Sequence, residues 1–146
     1  MSEEGSLVPG IQISASGLDA QSRRMEVIAN NVANAHTTSG TDGKVFRRKQ
    51  VLFAAKLADA LKKTGRKGAG MGGVEISRIE EDPRPPKRVH RPGHPDADKD
   101  GFVNMPNVNA AEEMVDMMSA TRAYEANLAA IRAARLMAKK ALEIGK

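Results

Sequence analysis

IQISASGLDAQSRRMEVIANNVANA, residues 11–35, decides the fold. Ile11, Leu18, Met25 and Val32 recur every seven residues, and Ser14, Gln21, Ile28 and Ala35 follow each by three. This spacing draws one narrow stripe along a helix. Ser14 and Gln21 make the stripe partly polar, so the helix needs a partner to cover Leu18, Met25, Ile28 and Val32.

The partner stands at the other end of the chain. Residues 110–144 read AAEEMVDMMSATRAYEANLAAIRAARLMAKKALEI, with no Gly or Pro and with strong helix formers throughout. Their stripe runs through Met114, Met117, Thr121, Tyr124, Leu128 and Ile131, then slips through Ala134 and Ala138 to Leu142, again close to a heptad. At 1.5 Å per residue such a helix is about 50 Å long, against a radius of gyration of about 15 Å for a compact domain of this length. Glu112, Glu113, Asp116, Arg122, Glu125, Arg132 and Arg135 exclude a membrane span. The expected class is mainly α, with long terminal helices pairing as a coiled coil around a small extended or β middle segment.

Composition agrees with packing by helices. One Tyr, three Phe and no Trp leave few large core residues, while eight Met suit irregular helix faces. With no Cys, disulfides and thiolate metal sites are impossible. The first ten residues, MSEEGSLVPG, are acidic and lack the basic and apolar regions of a secretory signal. Of the net charge of +5, the middle carries the excess: residues 40–95 hold fourteen Lys and Arg against six Asp and Glu. Such a region attracts nucleic acid, anionic lipid or an acidic protein.

The boundaries follow from punctuation. Residues 1–10 read as a flexible lead ending in Pro9 and Gly10, residues 11–35 as the first helix, 36–109 as the middle segment and 110–146 as the long helix. Asn34 fits a left-handed helix terminator. VFRRKQVLF (45–53) and VEISRI (74–79) are strand candidates for a small sheet or hairpin. AAKLADALKK (54–63) has helical composition and stays open; GRKGAGMGG (65–73) is a glycine-rich loop. The proline-rich run 80–95 excludes helix and favours an extended crossing. Asn109 is the expected N-cap of the long helix.

No constellation carries chemistry. Asp96, Asp98, Asp100 and Gly101 match the first half of a calcium loop, but the twelfth position is Asn107 instead of Glu. Gly68, Gly70 and Gly73 match a dinucleotide fingerprint without its strand and helix. Pro92 and Gly93 keep His90 and His94 from helical spacing on one metal. No cofactor is expected, and no enzyme. Arg47, Arg48, Lys49, Arg66, Lys67, Lys87, Arg88 and Arg91 would make a phosphate-binding surface, and a basic coiled coil binding nucleic acid is the competing reading. Without aromatics to stack bases it would have only sequence-independent electrostatics.

Two stretches carry a family resemblance. SASGLDAQSRRMEVIANNVANAHTT, with its run Asn30, Asn31, Val32, Ala33, Asn34, resembles the N-terminal motif of the flagellar basal-body rod and hook family. The later stretch places Pro106, Asn107 and Val108, then Glu113, Met114 and Val115, then Arg122, Tyr124 and Asn127, where that family has its C-terminal motif. The short middle is similar to that of its proximal-rod members. The resemblance implies a structural subunit that self-assembles through its terminal helices into a torque-transmitting shaft in the periplasm. It also implies export through the flagellar type III apparatus without a cleavable signal. Implied partners are further copies of the chain, other rod proteins, the inner-membrane ring and the export apparatus, with no nucleic acid and no membrane insertion. The expected assembly seam is Leu18, Met25, Ile28, Val32, Met114, Met117, Tyr124, Leu128, Ile131 and Leu142.

Overall fold

The computed structural model describes residues 4–38, 44–56 and 72–144, with side chains from Gly10 onward. The element order is α1 (Glu4–Ala33), β1 (Lys49–Lys56), β2 (Gly73–Glu81), β3 (Lys87–His90), β4 (Phe102–Met105) and α2 (Ala110–Ile144). β1 pairs with β2 in one two-stranded sheet and β3 with β4 in another. The long terminal helices and the small β middle are as the sequence predicts. Of the open segment 54–63, residues 54–56 belong to β1, and the rest lies, with most of the glycine-rich loop, outside the described residues.

Two boundaries differ from expectation. α1 starts at Glu4 and runs through Pro9 and Gly10, which were expected to form a lead. Proline removes one backbone N–H, and a 30-residue helix keeps the rest of its ladder on either side. At the other end, Asn34 is not left-handed, because no described non-glycine residue has positive φ. Its backbone N–H (3.1 Å) and its side-chain amide (2.8 Å) instead both donate to the Asn30 carbonyl, and the chain leaves through a turn in which Thr37 N–H donates to Asn34 O (3.1 Å).

The chain divides into two compact units. One comprises Met1–Arg23, Leu52–Arg78 and Ala120–Lys146. Its interior is built from small side chains: Ala20 and Ala120 are buried, and a Cβ at Gly17 would come within 2.9 Å of the Asn127 amide. Helices approach this closely only where one side supplies hydrogen instead of a methyl group. Ser16 ties β2 to α1: its hydroxyl donates to Ile13 O (2.7 Å) and accepts from Val74 N–H (3.0 Å), with Gly73 leaving room beside it.

The other unit comprises Arg24–Val51 and Ile79–Ser119. Ile28, Ala35, Val103, Pro106 and Val108 form its apolar interior. β3 and β4 run antiparallel with Lys87 opposite Met105 and His90 opposite Phe102. This hairpin lies where an unpaired crossing was expected, since prolines stop the ladder only at Pro86 and Pro92, leaving five residues between them, four of which form β3. The aspartate-rich run closes it. Asp98 accepts the N–H groups of Asp100 (3.0 Å) and Phe102 (2.8 Å), and Gly101 takes φ +77°, where a side chain would be strained. The half-motif of a calcium loop is therefore an Asx turn, with Arg88 paired to Asp98 at 2.7 Å and laid over the Phe102 ring at 4.8 Å. Those hydrogen bonds, led by that from Phe102 N–H, hold the Asp98 carboxyl below the usual carboxylate range.

α2 begins as its sequence predicts. Asn109 Oδ1 accepts from Ala111 N–H (3.2 Å), and its amide meets Glu112 (2.9 Å). Its inward face runs through Glu113, Met117, Ala120, Tyr124, Asn127 and Ile131, spaced alternately by four and three. Met114 and Leu142, placed on the stripe by their apolarity, stand 57% and 66% exposed. The apolar reading skipped Glu113 and Asn127 because they are polar and took Met114 and Leu128 beside them, while its Met117, Tyr124 and Ile131 lie on this face.

Candidate functional site

The unit formed by Arg24–Val51 and Ile79–Ser119 holds a polar junction at the start of β1. Its centre is Glu113, a carboxylate with no exposed surface, one turn into α2. A charge so placed is costly unless paired and hydrogen-bonded. Here Arg48 Nε donates to Oε1 and Asn31 Nδ2 to Oε2 (2.9 Å), so both oxygens are met. The Arg48 guanidinium reaches one turn further to Asp116 (3.2 Å), which also faces Arg24 at 3.5 Å.

Asn31 has a second task. Its amide nitrogen donates to Lys49 O (2.8 Å), and its oxygen accepts from Lys49 N–H (2.9 Å). One primary amide thus stands where a neighbouring strand would, closing the edge of β1 at its first residue. Asn107 ties the preceding residue to a third segment: Arg48 N–H donates to its Oδ1 (2.8 Å), and its amide donates to Arg84 O (3.1 Å).

Below them Asp82, 3% exposed, accepts from Arg84 N–H (2.9 Å), from the Arg84 guanidinium (2.6 Å at the shortest) and from Gln50 (3.1 Å), while its own N–H donates to Arg48 O (2.7 Å). The Arg84 side-chain hydrogen bonds hold the Asp82 carboxyl at about 2, against an ordinary 3.8. The same partner raises Arg84 further.

The motif residues singled out from sequence therefore separate. Asn31, Asn107 and Glu113, from three different segments, meet around Arg48 and Lys49. Pro106 and Val108 are buried beside them in the chain, Asn34 caps α1, and Asn30 and Arg122 are exposed. Asn127 donates to Ala123 O (3.0 Å) on its own helix. Of the stripe residues, Ile28 is buried, and Leu18, Met25, Val32, Met117, Tyr124, Leu128 and Ile131 are half-buried. Sequence reading missed Arg48 as a keystone by counting it among free cations. Paired with Glu113 and Asp116, and 17% exposed, it offers no charge to a phosphate; Arg88 is likewise engaged by Asp98, and Arg66 and Lys67 lie outside the described residues. The signal available was that the only acids within two turns of the start of α2 are Glu112, Glu113 and Asp116. Among the described residues no group of acids and histidines could hold a metal ion, and no helix is long and apolar enough to cross a membrane.

Helices of 30 and 35 residues fused through a junction in which buried Glu113 and Asp82 are both paired define a helix-built structural subunit. The family model described as flagella basal body rod protein matches residues 11–40, and that described as flagellar basal body rod FlgEFG protein C-terminal matches residues 99–144. The flagellar basal-body rod protein FlgC of Escherichia coli O6:H1 is 42% identical over 134 residues, covering 92% of this chain and 94% of that protein. FlgC of Borreliella burgdorferi is 42% identical over 148 residues, covering 94% and 97%, and FlgC of Bacillus subtilis 41% over 144, covering 93% and 96%. The chain belongs to the FlgC family of flagellar basal-body rod proteins, and is a structural subunit of that rod. Nothing in these likenesses supports the nucleic-acid reading.

Two measurements check the junction. Asn31→Ala orphans both backbone groups of Lys49 and one oxygen of Glu113, at about 1–3 kcal/mol for each buried group left unmet. Asn30→Ala, one residue away but exposed, should change urea-unfolding stability by less than about 0.5 kcal/mol. Because the Asp82 carboxyl is depressed in the folded state, its contribution is present above pH 3.8 and is lost as pH falls through about 2. Asp82→Asn should flatten that part of the stability profile followed by circular dichroism.

Proposed function

We propose that this subunit builds the proximal part of the rod by packing its terminal helices against those of neighbouring subunits, forming a shaft that transmits torque. The observation that supports it is the junction: residues 31, 48 and 113, from both ends of the chain and its middle, are locked by an ion pair and hydrogen bonds. Load entering one terminal helix is thereby passed to the other without reliance on a flexible link. The seam residues Leu18, Met25, Ile28, Val32, Met117, Tyr124, Leu128 and Ile131, only partly covered within the chain apart from Ile28, are completed by subunit contacts, together with outward Met114 and Leu142. Each such side chain contributes about 1.5 to 3 kcal/mol when fully buried, so strength comes from repetition.

On this reading the chain is a structural part and not an enzyme, works in the periplasm, and is handed out by the flagellar export apparatus. Its partners are copies of itself, other rod proteins and the inner-membrane ring.

Leu128→Asp separates assembly from export. It places a carboxylate on a helix contact, at about 2 to 5 kcal/mol in each copy. Cells carrying it should be non-motile and lack a rod in purified basal bodies, while the subunit still leaves the cytoplasm. Normal rods and swimming would remove Leu128 from the assembly face and with it this account of assembly.

A further inference from the structure

α2 is apolar on two opposite faces. Glu113, Met117 and Ala120 point inward; Ala111, Val115 and Met118, with the same spacing of four and three, point outward beside Met114. Met114, Val115 and Met118 are 57%, 61% and 54% exposed, and Val115 lines a groove of about 450 Å³ together with Arg48, Ala111, Glu112 and Asp116. A helix apolar on both sides is one that is covered on both sides.

The charge along α2 says by what. Its first ten residues carry three acids and no base, and its last 25 carry five bases and two acids. Glu113 and Asp116 are taken up by Arg48 and Arg24, which leaves exposed Glu112 as the open charge beside the groove, and an anionic lipid or a phosphate backbone gains nothing from it. A cationic, apolar helical surface fits it, and the chain presents one: Leu136 and Met137, 59% and 56% exposed, flanked by exposed Arg132 and Lys140.

We infer that the outward ridge Met114–Val115–Met118 of one copy receives the Leu136–Met137 stretch of α2 from a second copy. The inference rests on the rod-subunit reading and names the contact within it. The two surfaces differ, so the contact is heterologous: each copy keeps one surface free, and addition continues head to tail instead of closing as a dimer. Three side chains on one side fall well short of the roughly 800 Å² per partner of a stable interface. Free subunits therefore stay apart, and the contact forms only where other rod contacts hold copies in place.

The chain has no cysteine, so a double variant, M118C/M137C, introduces the only thiols. Mild oxidation of purified basal bodies carrying the full-length variant should give a ladder of covalent dimers, trimers and higher species, and neither single variant should. Within one chain the two positions lie on one helix about 28 Å apart at 1.5 Å per residue, beyond the 4.4–6.8 Å between Cα atoms that a disulfide spans. If the double variant does not enter rods, expressing the two single variants together supplies the same pair, and the expected product is a dimer and nothing larger. Absence of both ladder and dimer from basal bodies that contain the chain overturns this contact and leaves the rod reading standing. Absence of the unaltered chain from basal bodies overturns the rod reading itself.

Discussion

A carboxylate shut away from water must be answered, and the answer to Glu113 organises this protein. Arg48 and Asn31 both donate to it, and each is tied in turn to the backbone at the start of β1. Removing one partner would leave the others buried and unmet, which costs more than the pair contributes while intact. The penalty for a wrong arrangement is what makes such a junction specific. An apolar plug at the same place would tolerate sliding by a residue or a turn; a carboxylate that needs a guanidinium and an amide does not.

Much of the fold was legible because helices announce themselves through periodicity. The heptads of residues 11–35 and the uninterrupted run from Ala110 give α1 and α2, and the capping role of Asn109 follows from its place before two glutamates. The family resemblance added what periodicity has no access to, the rod. The same method failed where polar residues do structural work. A search for apolar stripes passes over Glu113 and Asn127, because nothing in their chemistry says they face inward. Only a partner 65 residues away in sequence, Arg48, makes a buried glutamate acceptable, and pairing at that distance leaves no local trace.

The middle segment shows a related limit. Prolines and charges between Glu80 and Pro95 argue against regular structure, and β3 occupies four of the five residues between Pro86 and Pro92. Its partner β4 was hidden behind an aspartate run that resembles a metal loop. Both calcium loops and Asx turns need carboxylates and a permissive glycine; what separates them is whether the oxygens point at a shared centre or at backbone N–H groups, and Asp98 does the latter.

Function rests on the same physics at larger scale. A rod subunit has to be rigid enough to carry load and must keep apolar surface for its neighbours, so exposed Met114, Val115 and Met118 on an otherwise well-formed helix are expected of a part. The central claim is that Arg48 and Glu113 act together as the keystone of the junction. A double-mutant cycle in urea unfolding tests it most directly, comparing Arg48→Met, Glu113→Met and both together. The account predicts that each single change is destabilising and that the double variant is less damaged than their sum by about 1.5–3 kcal/mol, because the second change removes the charge stranded by the first. Strictly additive losses would mean that the two residues stabilise the fold independently, and the junction would not be its keystone.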